Sequence, residues 1–165
     1  MPAPLLIRDV MRIGVPTCKL EDTVAHVAAL MIDGGHTAVV VLDEEADTRG
    51  WVNEHILAAA YMRAAAAAED ASLIAIQDVM DEDVPECASD LPLAAAVGIM
   101  ADLGVDHLFF LHRAAGRMWP ASVLSLRDVV KALAGPEYLK NQGMHAARPT
   151  PMDLFRQRYG LAKTR

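Results

Sequence analysis

Cysteine is scarce in this sequence. Cys18 and Cys87 are the only two, and they share neither a CxxC spacing nor a histidine at ligand spacing. A disulfide-stapled framework is thereby disfavoured and a zinc motif poorly supported. Two half-buried strand thiols in a reducing cytoplasm are expected, with one disulfide or a metal pair as the alternative. Positive charge is also scarce: 15 Lys and Arg stand against 22 Asp and Glu, for a net charge of −7. That balance argues against a nucleic-acid surface. Aromatic residues make up only 5% of the chain, so a core drawn from its 53% hydrophobic content must be aliphatic and alanine-rich. No apolar run reaches membrane-spanning length, and Pro2, Pro4, Arg8 and Asp9 interrupt any leader-like start, so a cytoplasmic chain off the membrane is expected. His26, His107, His112 and His145 lack an i+4 partner or a neighbouring cysteine, so no metal site is expected. A Ser/His/Asp order and a Gly-rich phosphate loop are both missing, and an enzyme is the least favoured class.

What is present is a duplication. Shifted by 69 positions, Ile7–Leu42 lies on Ile76–Leu111 without a gap, and 12 of the 36 pairs are identical. The shared residues include Asp9/Asp78, Val10/Val79, Met11/Met80, Val15/Val84, Pro16/Pro85, Cys18/Cys87, Met31/Met100, Asp33/Asp102 and Gly35/Gly104. The period is too long for a solenoid and suits two half-domains that share a core, with a cleft near their pseudo-twofold axis. Domains over 1–70 and 71–140 and a tail over 141–165 follow.

Within the first half, IRDVMR reads as a short helical turn and Val15–Leu20 as an extended piece. Glu21, Asp22 and Thr23 supply helix-start chemistry for the stripe Val24, Val27, Ala28 and Met31, which Gly34-Gly35 ends. Ala38–Leu42 is a buried strand, Asp43–Arg49 a charged turn and Gly50–Val52 a second strand. A helix then runs from Glu54 through Ala68 into the connection between the halves. The second half repeats the order: turn Ile76–Met80, extended Val84–Ala88, helix Leu93–Leu103, strand His107–His112, turn Ala114–Arg117, strand Ala121–Leu124 and helix Leu126–Leu133. Each half is β-α-β-β-α, an α+β arrangement in which an antiparallel strand pair carries helices on one face.

A DVM turn, V-P-x-C, an alanine-rich helix ending in Asp-x-Gly, an apolar strand and a strand leading to Ser-x-x-Asp, in that order, resemble the cystathionine-β-synthase (CBS) domain. Two in tandem over about residues 5–135 resemble the pair called a Bateman module. The resemblance implies a pseudo-twofold disc that binds AMP, ADP, ATP, S-adenosylmethionine or a dinucleotide between its halves. It also implies a regulator that does no chemistry, acts on a partner protein and forms a homodimer.

The motif for ligand binding is Ser125-Leu126-Arg127-Asp128. The resemblance implies that the hydroxyl contacts phosphate or sugar and that the carboxylate accepts both ribose hydroxyls, near helix-start N–H groups that favour anions. The same string is also a capping box, in which both side chains bond their own helix. The competent cleft implied by the resemblance joins Ser125, Asp128 and Val123 to Val15, Pro16, His36 and Ala38. The other cleft has Asn53-Glu54-His55-Ile56 at the motif. Ile56 cannot accept a hydrogen bond, so this cleft, with Asn53, His55, Val84, Pro85 and Asp106, is expected to be degenerate. The buried strands lack the family's frequent Leu-Pro-Val, and Ser122 replaces its usual glycine.

The body is acidic (9 Lys and Arg against 20 Asp and Glu over residues 1–135) and the remainder basic, 6 against 2. Met152, Phe155 and Tyr159 sit at helical spacing in that tail. It reads as a docking helix, as a basic flap that brings Arg156 or Arg158 to a nucleotide, or as a loose terminus. Besides the regulatory reading, a ligand-free structural or oligomerisation module stays open. A carboxylate of Asp128 turned back onto its own helix, with side chains filling the seam, would end the sensor reading and leave a scaffold.

Overall fold

Gly35 and Gly104, repeat equivalents, end equivalent helices for one reason: each adopts left-handed backbone (φ 62° and 65°), where a side chain is disfavoured. The structure is a computed structural model and describes residues 4–141. Its elements are α1 (Ile7–Val10), β1 (Arg12–Ile13), β2 (Thr17–Lys19), α2 (Val24–Gly34), β3 (Ala38–Leu42), β4 (Thr48–Asn53) and α3 (Glu54–Ala67). Two 3-10 turns (Ala71–Leu73 and Ile76–Asp78) lead to α4 (Leu93–Leu103), β5 (His107–Ala114), β6 (Arg117–Ser125), α5 (Leu126–Leu133) and α6 (Pro136–Asn141). Thr23 caps α2 by accepting from the His26 N–H, and Asn53 caps α3 by accepting from the Ile56 N–H.

The strands form two three-stranded sheets, ordered β2-β3-β4 and β1-β6-β5. β3/β4 and β5/β6 are antiparallel hairpins, as their short connections require, and β2 runs parallel to β3. Val39 and Val41 of β3 pack with Val24, Val27 and Met31 of α2, while Ala38 and Val40 face the other way. There they meet Trp51, Phe109, Leu111 and Val123, so the sheets of the two halves bury each other along a seam. Burial on both faces explains the unbroken apolar run of β3.

Several features differ from expectation: β6 starts at Arg117 and not at Ala121, and Arg12 of the expected helical turn lies in β1. The extended piece at Val84–Ala88 makes one rung only, Phe109 N–H to the Pro85 carbonyl and Cys87 N–H to the Phe109 carbonyl. Beyond Cys87 the chain turns away, and the Ser89 and Leu91 carbonyls accept from the Arg8 and Ile7 N–H groups. The sequence repeat is also not the packing unit. Ile7 and Val10 complete the core of the second half with Ala96, Met100, Leu108 and Leu124, while Ile76 completes that of the first. Finally a further helix, α6, follows α5 beyond the last element that the sequence pattern assigns; Pro136 suits a first helical position, and Leu139 is buried.

Candidate functional site

Each half ends its hairpin at the seam and starts a helix there. Ser125, the last residue of β6, pairs with His107, and Asn53, the last of β4, pairs with Ala38. The segment before each V-P crosses to the opposite half. Arg12 pairs with Val123, and its repeat equivalent Asp81 pairs with Trp51. Two related clefts result.

In the Ser125 cleft the ligand motif is turned onto its own helix. Asp128 Oδ2 accepts from the Ser125 N–H at 2.9 Å and its hydroxyl at 2.7 Å, and Ser125 Oγ accepts from the Asp128 N–H at 3.3 Å. That is a complete capping box. Asp128 is fully buried, with Arg12 Nε 3.5 Å from Oδ2 and Lys131 Nζ 3.7 Å from Oδ1. The expectation of a carboxylate directed across the seam is corrected accordingly. A helix start with orphan N–H groups and an anion three residues on satisfies itself, and Arg12 covers the pair. Burial leaves two atoms short, since Asp128 Oδ1 and Arg12 Nε have no hydrogen-bond partner.

The other residues of that cleft also make contacts within the fold. Val123 and Ala38 are buried in the seam, Val15 packs on it, and the Pro16 carbonyl accepts from the Val40 N–H. The half-buried His36 ring rests on the end of α2, where a methyl group on Gly34 would collide with it.

The cleft expected to be degenerate is open. Asn53, His55 and Ile56 line one depression of about 460 Å³ with Asp81, Val105 and Asp106. Val84 and Pro85 line an adjoining one of about 600 Å³, and Asp81 and Val105 belong to both. A polar chain absent from the sequence reading ties the seam beside them. Asn53 Nδ2 donates to Asp106 Oδ1 at 2.7 Å, His107 Nδ1 shares that oxygen at 2.7 Å, and His107 Nε2 meets Thr37 Oγ1 at 2.8 Å. The repeat shift places Thr37 opposite Asp106 and Ala38 opposite His107; that substitution of polar for apolar was the available signal.

Burial pushes the Asp106 carboxyl up, but the hydrogen bond and charge of His107 and the Asn53 amide outweigh it and hold the pKa below the usual value. Its Oδ2 lies 4.0 Å from His55 Nε2. Although Asp106, His107 and Thr37 bond in the order of a nucleophile relay, His107 is only 2% exposed, sealed near Trp51 and Phe109. A catalytic base needs reach to substrate, so the chain is a tie between halves. Among the described residues no group of three or more His, Cys, Asp or Glu could hold a metal ion, and no helix is long and apolar enough to cross a membrane. Burial, then Asp22, pushes the Cys18 thiol up to about 12, and burial, then Glu86, takes Cys87 to about 11; both are free. The tail residues Met152, Phe155, Arg156, Arg158 and Tyr159 lie outside the described residues, as does His145.

Two related α+β halves closed on a seam, with a cleft for each repeat, define a tandem-repeat architecture of the type the sequence resembles. The family model for the CBS domain matches twice, over residues 7–63 and 76–135, and the chain belongs to that family. Solved structures agree on the fold. An uncharacterized conserved protein from Pyrococcus horikoshii superposes with a TM-score of 0.68 at 16% identity, over 82% of this chain and 97% of its own. A CBS-domain containing protein from Agrobacterium tumefaciens gives 0.67 at 23% identity, over 78% and 92%. The CBS domain pair of protein MJ0100, solved in complex with 5′-methylthioadenosine and S-adenosyl-L-methionine, gives 0.63 at 16% identity, over 79% and 100%. A comparison with curated proteins finds no match.

Proposed function

We propose that this chain is a regulatory module that binds an adenosyl ligand between its halves and passes the binding event to a partner protein without chemistry of its own. The observation that carries this reading is the pair of adjoining depressions at Asn53, His55, Asp81, Val84, Pro85 and Asp106, set in a family whose MJ0100 pair holds adenosyl compounds. Val84, Pro85 and Val105 supply apolar walls for an adenine. Asp106, with Oδ1 committed to Asn53 and His107, offers Oδ2 to ribose hydroxyls in place of the carboxylate missing at Ile56.

The Ser125 cleft, with Asp128, Val123, Val15, Pro16, His36 and Ala38, is the second site of this reading. It accepts AMP, ADP, ATP or S-adenosylmethionine only in a conformation where Arg12 leaves Asp128. A ligand that binds that conformation more tightly shifts the equilibrium toward it, which is all a sensor requires. The output passes through association. Ile32 of α2, Tyr61 and Met62 of α3, Leu103 of α4 and Leu133 of α5 are exposed apolar side chains suited to a homodimer or an effector surface. Reduced thiols and an acidic body fit a cytoplasmic setting.

A thermal-shift panel of AMP, ADP, ATP, S-adenosylmethionine and NAD, with mass spectrometry of any compound carried through purification, tests the reading. At least one adenosyl compound should raise the melting temperature, and Asp106→Ala should abolish that rise. A flat panel from a clean preparation leaves the second reading, a ligand-free oligomerisation module. The fully buried, self-bonded Asp128 and the Ile56 substitution favour it.

A further inference from the structure

We infer that residues 150–160 of this chain dock as a short helix on an apolar stripe of α5 and cover it; this stands whether or not either cleft takes a ligand. α5 turns its apolar side outward. Its one buried residue is Asp128, while Leu126, Val130 and Leu133 are 44%, 64% and 81% exposed. With the half-buried Val129 they stand at i, i+3, i+4 and i+7, the spacing of a helix face that is normally covered. The repeat equivalent lacks that face. Counted from the helix starts Asn53 and Ser125, α3 has Glu54 and Ala58 where α5 has Leu126 and Val130. Apolar residues scattered singly need no cover, but a continuous stripe marks a contact.

The occupant follows from where the described chain ends. α6 packs against α5 with Leu139 buried, so the chain is held beside α5 up to its last turn. Residues 142–149, at about 3.3 Å each, span up to roughly 26 Å, whereas α5 is only about 12 Å long. Both ends of the stripe are within reach. The sequence beyond carries a matching stripe. Thr150-Pro151-Met152-Asp153 has the form of a helix start, with a capping hydroxyl, a proline next to it and a carboxylate three residues on; Gly160 has the form of a stop. Between them Met152, Phe155 and Tyr159 recur at i, i+3 and i+7, the same length as Leu126 to Leu133. Arg156 and Arg158 belong to the same segment, and the body it docks on is acidic, with 20 Asp and Glu against 9 Lys and Arg over residues 1–135. Docked there, the segment hides Leu133 from a partner and must lift before α5 can serve association.

Hydrogen–deuterium exchange on the full chain, read by mass spectrometry at several protein concentrations, tests the docking. Amides of residues 152–159 should exchange at least about tenfold more slowly than those of the same sequence as a free peptide. Two variants acting from opposite sides should each cut that protection to about threefold or less. One is Val130→Gln with Leu133→Gln, at exposed positions and with a good helix former, so α5 itself persists. The other is Phe155→Gln, while Phe155→Leu should keep the protection. Exchange at the free-peptide rate in the parent chain overturns the inference, and so does protection that the α5 variant leaves intact. Protection that grows with protein concentration overturns it in favour of a second copy on α5. A dimer that the α5 variant dissociates and Phe155→Gln does not has the same meaning.

Discussion

Asp128→Ala is the perturbation on which the two uses of the Ser-x-x-Asp string part company. As a capping residue the carboxylate satisfies the Ser125 N–H and hydroxyl, both buried, and faces Arg12. Hydrogen bonds to a charged group contribute about 1.5–3 kcal/mol each, and a lost cap costs about 1 kcal/mol. The terms overlap because they concern the same atoms. Arg12, one-third exposed, recovers solvation when its partner goes, so the ion pair is discounted. The net loss is about 3 kcal/mol, and for a body of this size each kcal/mol shifts the melting temperature by about 4 °C. A fall of roughly 12 °C follows. Asp128→Asn keeps one acceptor for Ser125 and gives up the charge, so about half that fall is expected. Urea unfolding followed by circular dichroism, with the slope unchanged between variants, measures both. If Asp128→Ala melts within about 2 °C of the parent chain, the carboxylate is not holding α5 and the capping assignment is wrong.

Three further outcomes follow from other parts of the fold. Gly50→Ala places a methyl 2.6 Å from the Asp81 carbonyl and 2.7 Å from Met80 Sδ, at the rung where Trp51 and Asp81 exchange backbone bonds. A loss of about 2 kcal/mol or more in urea unfolding is expected, and a neutral variant would mean that the seam yields freely. The Asp106 pKa is depressed in the folded chain, so its stabilisation is fully present above the unfolded value of about 3.9 and lost as pH falls through the lower folded value. Asp106→Asn should thus flatten the stability curve below about pH 4, and identical acid slopes for both proteins would refute the assignment. With thiols raised to about 12 and 11, Cys18 and Cys87 should resist a disulfide reagent at pH 8 in the native state and react fully in denaturant. Rapid native labelling would show that their surroundings open.

Most of the fold was legible because local signals and the repeat agreed. β3, α4 and α5 fall on the residues that pattern and punctuation assign, and each glycine stop is left-handed. The exchange of N-terminal segments was not legible. Ile7 and Ile76 look alike in sequence, and only long-range packing decides which half each completes. Proximity of residues was legible through the resemblance, and the state of the helix-start motif was not. Asn53, His55 and Asp106 line one depression, with Val84 and Pro85 in an adjoining one. Whether Ser125 and Asp128 face a ligand or their own helix cannot follow from a string that serves both. Burial and the cation at Arg12 decide it, and Arg12 lies more than a hundred residues away in sequence.

The duplication kept the backbone of both clefts and changed their charges. At the crossing segment Arg12 stands in one cleft and Asp81 in the other; at the helix start, Asp128 stands in one and Ile56 in the other. In the first cleft the two charges meet, and Asp128 is fully buried beneath a one-third exposed Arg12. In the second the anion has moved to the crossing segment, and an isoleucine at the helix start offers no opposite charge. An anion without a partner stays where water can reach it, since burying it alone costs several kcal/mol, on the order of the protein's whole margin of stability. The same two positions thus account for a buried carboxylate at one helix start and an exposed one at the opposite crossing segment. Restoring the lost symmetry should shift the balance: Arg12→Asp would set a second carboxylate against the buried Asp128 and force that cleft to open or the chain to unfold.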